Sequence, residues 1–130
     1  MIKKELCPDV ICNGREIINN GENIPVKSIY NEIKSLSSLK LLILGDASMG
    51  KSTFARTLEA LYLAENIPVV FWECKNINQS NLSSLIDPNT TKDTVYIFDG
   101  YEEYVGDKDD LKNEIRKLVD NKINVILSSR

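Results

Sequence analysis

The fold is decided by residues 39–53, which read Leu39-Lys40-Leu41-Leu42-Ile43-Leu44-Gly45-Asp46-Ala47-Ser48-Met49-Gly50-Lys51-Ser52-Thr53. An apolar run ends at Gly45, and Gly45 to Ser52 match G-x-x-x-x-G-K-S, the pattern of a phosphate-binding loop. Its glycines let the backbone adopt positive φ, so that successive N–H groups converge on phosphate oxygens. Lys51 supplies a cation for the β- and γ-phosphates, and the Ser52 hydroxyl can bind Mg²⁺. The candidate nucleotide contacts are therefore Gly45, Asp46, Ala47, Ser48, Met49, Gly50, Lys51, Ser52 and Thr53.

The sequence around this loop alternates between strand and helix patterns. A buried strand is predicted at 39–45, followed by a helix over 51–65 whose apolar stripe is Phe54, Leu58, Leu61 and Tyr62. Val69–Trp72 predicts a strand buried on both faces. Further strands are expected at 94–98 and 122–127, and further helices at 26–36, within 76–89 and from residue 109. This alternation is typical of an α/β protein with a three-layer, doubly wound, mostly parallel sheet, which with the loop indicates a P-loop NTPase of the ASCE type.

A second group of polar residues follows the strand predicted at 94–98. Asp99 stands at its carboxyl end, where a doubly wound sheet binds its ligand, and in this Walker B position it would complete the Mg²⁺ shell opposite Ser52. Glu102 or Glu103, with Glu102 favoured, could polarise the attacking water. The plainer interpretations are a turn or helix-capping aspartate and acids on a solvated loop.

Gly100 and Arg130 complete this predicted group. A side chain at Gly100 could crowd the phosphate end of the nucleotide. Arg130 follows the last apolar strand, so it would project from the same sheet edge, where a guanidinium could sense the γ-phosphate. A terminal arginine is otherwise simply solvated.

Composition narrows the class of protein. The 130 residues suit one domain with a real core, and 42% hydrophobic and 27% charged residues are ordinary for a globular chain. A net charge of −3 and a pI near 5.0 give no case for binding nucleic acid or an anionic membrane. No apolar run is long enough to span a membrane and no secretory segment is recognisable, so a cytoplasmic location is expected. Three cysteines without any histidine make a closed zinc site improbable on composition.

Two of these motifs resemble those of a known family. Asp99-Gly100-Tyr101-Glu102-Glu103 resembles the signature of the NACHT group of STAND NTPases, a Walker B aspartate followed by a tiny residue and paired acids. Val125-Ile126-Leu127-Ser128-Ser129-Arg130 resembles that family's sensor strand, and Gly45 to Ser52 its Walker A loop. The resemblance covers residues 26–130, a partial P-loop nucleotide-binding domain, and leaves 1–25 as an N-terminal extension of uncertain structure.

The resemblance implies a signalling ATPase, as found in innate immune sensors and in bacterial phage-defence proteins. Such proteins exchange ADP for ATP and self-associate, which implies ATP/ADP and Mg²⁺ as cofactors. It assigns Lys51 and Ser52 to phosphate and Mg²⁺, Asp99 to Walker B, Glu102 and Glu103 to the acidic pair, and Arg130 to the sensor. It also implies a domain incomplete at its C-terminal side, because the family's next strand would pair with the P-loop strand. Its absence would leave the backbone from Leu41 to Ile43 as an unpaired sheet edge.

Two other functions remain open on the sequence. One is a P-loop small-molecule kinase, although the chain has few arginines and no arginine-rich lid, and its paired acids suit activation of water. The other is a non-hydrolysing scaffold that holds ADP for structural reasons. Turnover with and without an acceptor separates the kinase from the hydrolase, and ADP retention without turnover would indicate the scaffold.

Overall fold

The computed structural model of the chain describes residues 15–17, 30–31, 33–34, 39–44 and 51–129. The strands are β1 Arg15–Ile17, β2 Lys40–Leu44, β3 Val69–Glu73, β4 Val95–Asp99 and β5 Asn124–Ser129. The helices are α1 Lys51–Ala64, α2 Gln79–Leu82 and α3 Lys108–Asp120. Among the described residues the strands form one five-stranded sheet in the order β1-β2-β5-β4-β3, and every pair is parallel. The predicted α/β class with a parallel sheet is confirmed.

The strand order sets where the helices lie. The chain moves outward across the sheet from β2 to β3, and then returns through β4 to β5. Right-handed crossovers in opposite directions place α1 on one face of the sheet and both α2 and α3 on the other. Helix α1 contacts β3, β4 and β5, and α3 contacts β5. None of the described helices is long and apolar enough to cross a lipid bilayer.

Helix α1 confirms the helix predicted directly after the phosphate-binding motif. Ala55, Leu58 and Tyr62 of its apolar stripe are buried, and Phe54 and Leu61 pack partly against the core. The helix stops where Asn66 adopts a left-handed backbone with φ of 62°. The Ile67 amide then donates to the Tyr62 carbonyl at 3.0 Å, which closes the last turn.

Strand β3 departs from its prediction. Its apolar run suggested burial on both faces, but each of its residues is only half-buried. The reason is position, because β3 is the outermost strand and pairs only with β4 among the described strands. Part of the cover on its aromatic surface comes from α1, whose Arg56 guanidinium lies 3.6 Å from the centre of the Phe71 ring.

On the side of the sheet opposite β3, a second prediction is wrong. Leu41 to Ile43 is not an unpaired edge, because Arg15–Ile17 pairs with it in parallel, from Arg15 opposite Leu41 to Ile17 opposite Ile43. Three residues with two charges carry too little strand pattern to be recognised from sequence. Residues 15–17 of the predicted N-terminal extension therefore belong to the sheet. Of the helix predicted at 26–36, the described residues Tyr30, Asn31 and Ile33 are helical.

The last two elements bring the chain to the candidate site. Helix α3 begins where the Asp107 side chain accepts from the Asp109 amide at 2.9 Å, and it buries Leu111, Ile115 and Leu118. Strand β5 begins and ends two residues later than predicted, at Asn124 and Ser129. The shift matters because it places Ser128 and Ser129 inside the sheet, where both are buried.

Candidate functional site

The strand register brings the two predicted motifs to one edge of the sheet. The described strands are all parallel, so their carboxyl ends lie at the same end of the sheet, which is called the carboxyl edge below. The last residue of β2, Leu44, is level with Ser129 at the end of β5, and Asp99 ends β4 opposite Glu73 of β3. The chain leaves β2 at this edge for the phosphate-loop motif and is described again from Lys51, the first residue of α1. In doubly wound sheets ligands bind at the carboxyl edge, at the point where the connections that leave the strands run to opposite faces.

Several predicted phosphate contacts fall outside what the structure describes. Gly45, Asp46, Ala47, Ser48, Met49 and Gly50 lie outside the described residues, and so does Arg130. Lys51 is described as the first helical residue of α1. Ser52 and Thr53 follow in the first turn and are exposed. The predicted strand therefore precedes Gly45–Gly50, and the predicted helix follows it.

Asp99 is the best-defined member of the candidate site. Its residue is 8% exposed, so the carboxylate is nearly buried but still reaches the sheet edge. Oδ1 accepts a hydrogen bond of 2.6 Å from the Ser128 hydroxyl of the neighbouring strand. The Ser128 oxygen in turn accepts from the Gly100 amide at 2.9 Å. One carboxylate oxygen is thus fixed by the sheet, and Oδ2 receives no bond from any other described residue.

Gly100 turns the chain out of the sheet. It has φ of 76° and ψ of 53°, a left-handed conformation that glycine adopts without strain. A Cβ there would lie 3.0 Å from Glu103 Oε1, so the crowding found among described residues involves Glu103. The sequence-based reason for a glycine, crowding of a nucleotide, stays a prediction. The turn itself is closed by the Glu103 amide, which donates to the Gly100 carbonyl at 2.8 Å.

Glu102 and Glu103 therefore occupy one short 3-10 turn, Tyr101–Glu103, directly after the Walker B position. Glu102 is half-buried and Glu103 is exposed. Lys108 steadies the end of the turn, because its ammonium donates to the carbonyls of Glu102 at 3.4 Å and Tyr104 at 3.2 Å. Which acid would face an attacking water remains a prediction.

Tyr104 closes this loop and is unsuited to act as a base. The residue is 3% exposed, and burial raises the pKa of its phenol, with smaller contributions from the charges of Asp110 and Asp107. The phenol therefore stays protonated at neutral pH. Glu102 and Glu103 therefore remain the predicted candidates for orienting a water next to Asp99.

The donor types present fit Mg²⁺. Ser52 offers an exposed hydroxyl in the first turn of α1, and Asp99 offers a carboxylate of which only Oδ1 is bonded by a described residue. Within the described residues no three His, Cys, Asp or Glu side chains cluster closely enough to hold a metal alone. Mg²⁺ in nucleotide sites is held by one or two protein oxygens together with substrate phosphates and water, so the prediction needs no such cluster.

No protein-family model, curated protein or solved structure matches the chain.

Ser128 is the contact at this edge that the sequence reasoning missed. The resemblance includes Ser128 only as one residue of the sensor strand, whereas its hydroxyl bonds both Asp99 and Gly100. The available signal was a small polar residue that follows an apolar strand in the same way as Asp99 follows its own. The predicted strand ended at residue 127, two residues too early, and therefore left Ser128 outside the sheet.

Proposed function

We propose that this chain is the ATP- and ADP-binding module of a NACHT-like signalling or defence switch, of the P-loop NTPase class. The observation that carries the proposal is the register. The G-x-x-x-x-G-K-S motif begins directly after the carboxyl end of β2 and ends in the first turn of α1, and Asp99 ends a parallel strand at that same edge. A phosphate-binding loop and a Mg²⁺-binding carboxylate need this juxtaposition.

The strand order supports the same class. Strand β5 lies between β2, which leads into the loop motif, and β4, which carries Asp99. β5 therefore keeps the loop motif and Asp99 within two strands of each other, as a shared phosphate and Mg²⁺ site requires. Its last described residues, Ser128 and Ser129, lie at the same carboxyl edge of the sheet.

Each residue then has a distinct role in the proposed reaction. The Lys51 ammonium and the loop amides hold the β- and γ-phosphates, and Ser52 and Asp99 would hold Mg²⁺. The ion supplies charge neutralisation at the phosphate oxygens when it is bound. Glu102 or Glu103 orients the attacking water and accepts its proton, and Arg130 senses the γ-phosphate. Self-association through this domain follows from the family resemblance.

Binding of ATP and ADP in the presence of Mg²⁺ tests the proposal by calorimetric titration. We expect micromolar binding by the wild-type chain and its loss in Lys51→Ala. Lys92→Ala is the matched control, because it removes the same charge from an exposed residue before β4, away from the carboxyl edge. The proposal fails if the folded wild-type chain binds neither nucleotide.

Phosphate release separates the remaining alternatives. Release of phosphate from ATP without any added acceptor supports the hydrolase. Transfer only when a small-molecule acceptor is supplied would indicate a kinase, and tight ADP retention with no release would indicate a scaffold.

A further inference from the structure

The strongest unassigned feature of the carboxyl edge is the buried hydroxyl of Ser128. The residue is 0% exposed, and its oxygen lies 2.6 Å from Asp99 Oδ1 and 2.9 Å from the Gly100 nitrogen. The Gly100 amide can only donate, so the serine oxygen accepts from it. The single hydroxyl proton is thereby directed to the carboxylate. Ser128 thus links the backbone turn after β4 to the side chain that ends β4.

The position of Ser128 in the sheet ties this link to the loop motif. Strand β5 is hydrogen-bonded to β2 on one side and to β4 on the other. Ser128 is level with Ile43, one residue before the end of β2, and it bonds Asp99 across the other side. The strand that leads into the phosphate-loop motif and the carboxylate are therefore held by one strand between them. A shift of β5 would move both.

We propose that Ser128 is a positioning residue that fixes the Asp99 carboxylate so that Oδ2 is presented for Mg²⁺. This inference rests on the proposed nucleotide-binding function. A carboxylate has a broad torsional preference about its last bond, so a single bond to Oδ1 selects one plane out of many. Outer partners that orient metal ligands change metal affinity by about 10- to 100-fold when they are removed.

The test measures ATP binding as a function of free Mg²⁺ concentration. In Ser128→Ala we expect the Mg²⁺ concentration at half-saturation to rise by about tenfold, with ATP binding in EDTA unchanged. Thr94→Val is the matched control, because it removes a buried hydroxyl just before β4, at the opposite edge of the sheet. We expect less than a twofold change there. Thermal unfolding of each variant confirms that it is folded.

A double-variant experiment distinguishes positioning from simple structural support. If Ser128 acts through Asp99, then Ser128→Ala added to Asp99→Asn produces no further change in the Mg²⁺ dependence. A loss of equal size in both backgrounds, an equal loss in EDTA, or no effect of Ser128→Ala on a wild type that binds Mg²⁺ and ATP overturns the inference. If Ser128→Ala does not fold, Ser128→Cys replaces it, since a thiol of similar size donates only weakly and should give a smaller loss in the same direction.

The failure of this inference is distinguishable from failure of the proposed function. A wild-type chain that binds no nucleotide fails before any variant is compared. A wild-type chain that binds Mg²⁺ and ATP normally, while Ser128→Ala does the same, retains the function and loses only the role of Ser128.

Discussion

The two ends of strand β5 each bury a polar side chain, and they use it differently. At the amino end, Asn124 is 8% exposed, and its amide accepts from the Leu39 amide at 2.7 Å and donates to the Lys92 carbonyl at 3.3 Å. At the carboxyl end, Ser128 bonds the Asp99 carboxylate. Asn124 and Ser128 are four residues apart on one strand, so their side chains share a face of the sheet.

The difference lies in what each bond leaves behind. Both bonds of Asn124 end on main-chain groups, the Leu39 amide and the Lys92 carbonyl, so the amino end is a structural junction. The bond from Ser128 ends on a charged carboxylate, whose second oxygen accepts no bond from any described residue. The buried polar side chain at the amino end of β5 therefore joins two main-chain groups, whereas the one at the carboxyl end holds a carboxylate.

The largest stability effect is expected at the amino end. Asn124→Ala removes the partner of the Leu39 amide and of the Lys92 carbonyl together, and a buried polar group left unpaired loses about 1–3 kcal/mol. We expect the free energy of unfolding to fall by about 2–4 kcal/mol in urea denaturation. Nucleotide affinity per folded molecule should not change.

Asn113→Ala is the control for that loss, because Asn113 is exposed within α3. Its effect should stay below about 0.5 kcal/mol. Equal losses of unfolding free energy in the two variants would show that the junction at Asn124 carries no special stability.

A smaller stability effect is expected at Gly100, on the carboxyl side. Alanine in its left-handed conformation loses about 1–2 kcal/mol, and the new Cβ would lie 3.0 Å from Glu103 Oε1. We expect Gly100→Ala to lower the unfolding free energy by that amount and to weaken Mg²⁺-dependent ATP binding more than Asn124→Ala does. In a Glu103→Ala background the contact with the glutamate is relieved and the backbone strain remains. Complete recovery of stability there would show that φ is not the cause.

The smallest effect is expected at a contact away from both ends of β5. The Tyr30 hydroxyl donates to Glu65 at the end of α1, and Lys34 lies 3.5 Å from the same carboxylate. The Tyr30 bond, more than Lys34, lowers the pKa of Glu65, and burial followed by the Glu65 bond raises the pKa of Tyr30 to about 12. The bond therefore stabilises the fold only between the acid range and strongly alkaline pH.

The direction in which stability changes with pH depends on whether the folded or the unfolded state binds the proton more tightly. Glu65 stabilises the fold at pH above its ordinary pKa of 4.5, and that contribution disappears as pH falls through its lower folded pKa. Tyr30 contributes below its ordinary pKa of 10.0 and loses that contribution as pH rises towards about 12. Tyr30→Phe should flatten both limbs of the unfolding midpoint against pH. The alkaline limb is only reduced, since burial also raises the pKa of Tyr62. Lys34→Gln, which removes an exposed ion pair, should leave both limbs nearly unchanged.

Local pattern was enough to predict the elements that frame the site. The apolar run before Gly45, the stripe through Leu58 and Tyr62, and the run ending at Asp99 each gave the correct element, because each obeys one clear periodicity. The same patterns gave a parallel sheet and the edge at which Asp99 emerges. These features depend only on residues close in sequence.

Position in the sheet was not predictable from those patterns. Val69–Trp72 has the apolar run of a central strand, yet β3 is the outermost strand of the sheet. Arg15–Ile17 has almost no strand pattern, yet it covers Leu41 to Ile43. Asn124 and Ser128 were missed for a related reason, because their roles depend on residues 85 and 29 positions away in the chain.

A nucleotide site at the carboxyl edge is tested most directly by measuring Mg²⁺-dependent ATP binding of the wild type, Asp99→Asn and Asn124→Ala in one set of titrations. Affinity is normalised to the folded fraction measured by circular dichroism. With a nucleotide site at the carboxyl edge, we expect the wild type to bind ATP and Asn124→Ala to bind it with the same affinity although it is less stable. Asp99→Asn should lose the Mg²⁺-dependent part of the affinity without losing stability. A folded wild type that does not bind, or parallel loss of affinity in both variants, would contradict a nucleotide site at the carboxyl edge.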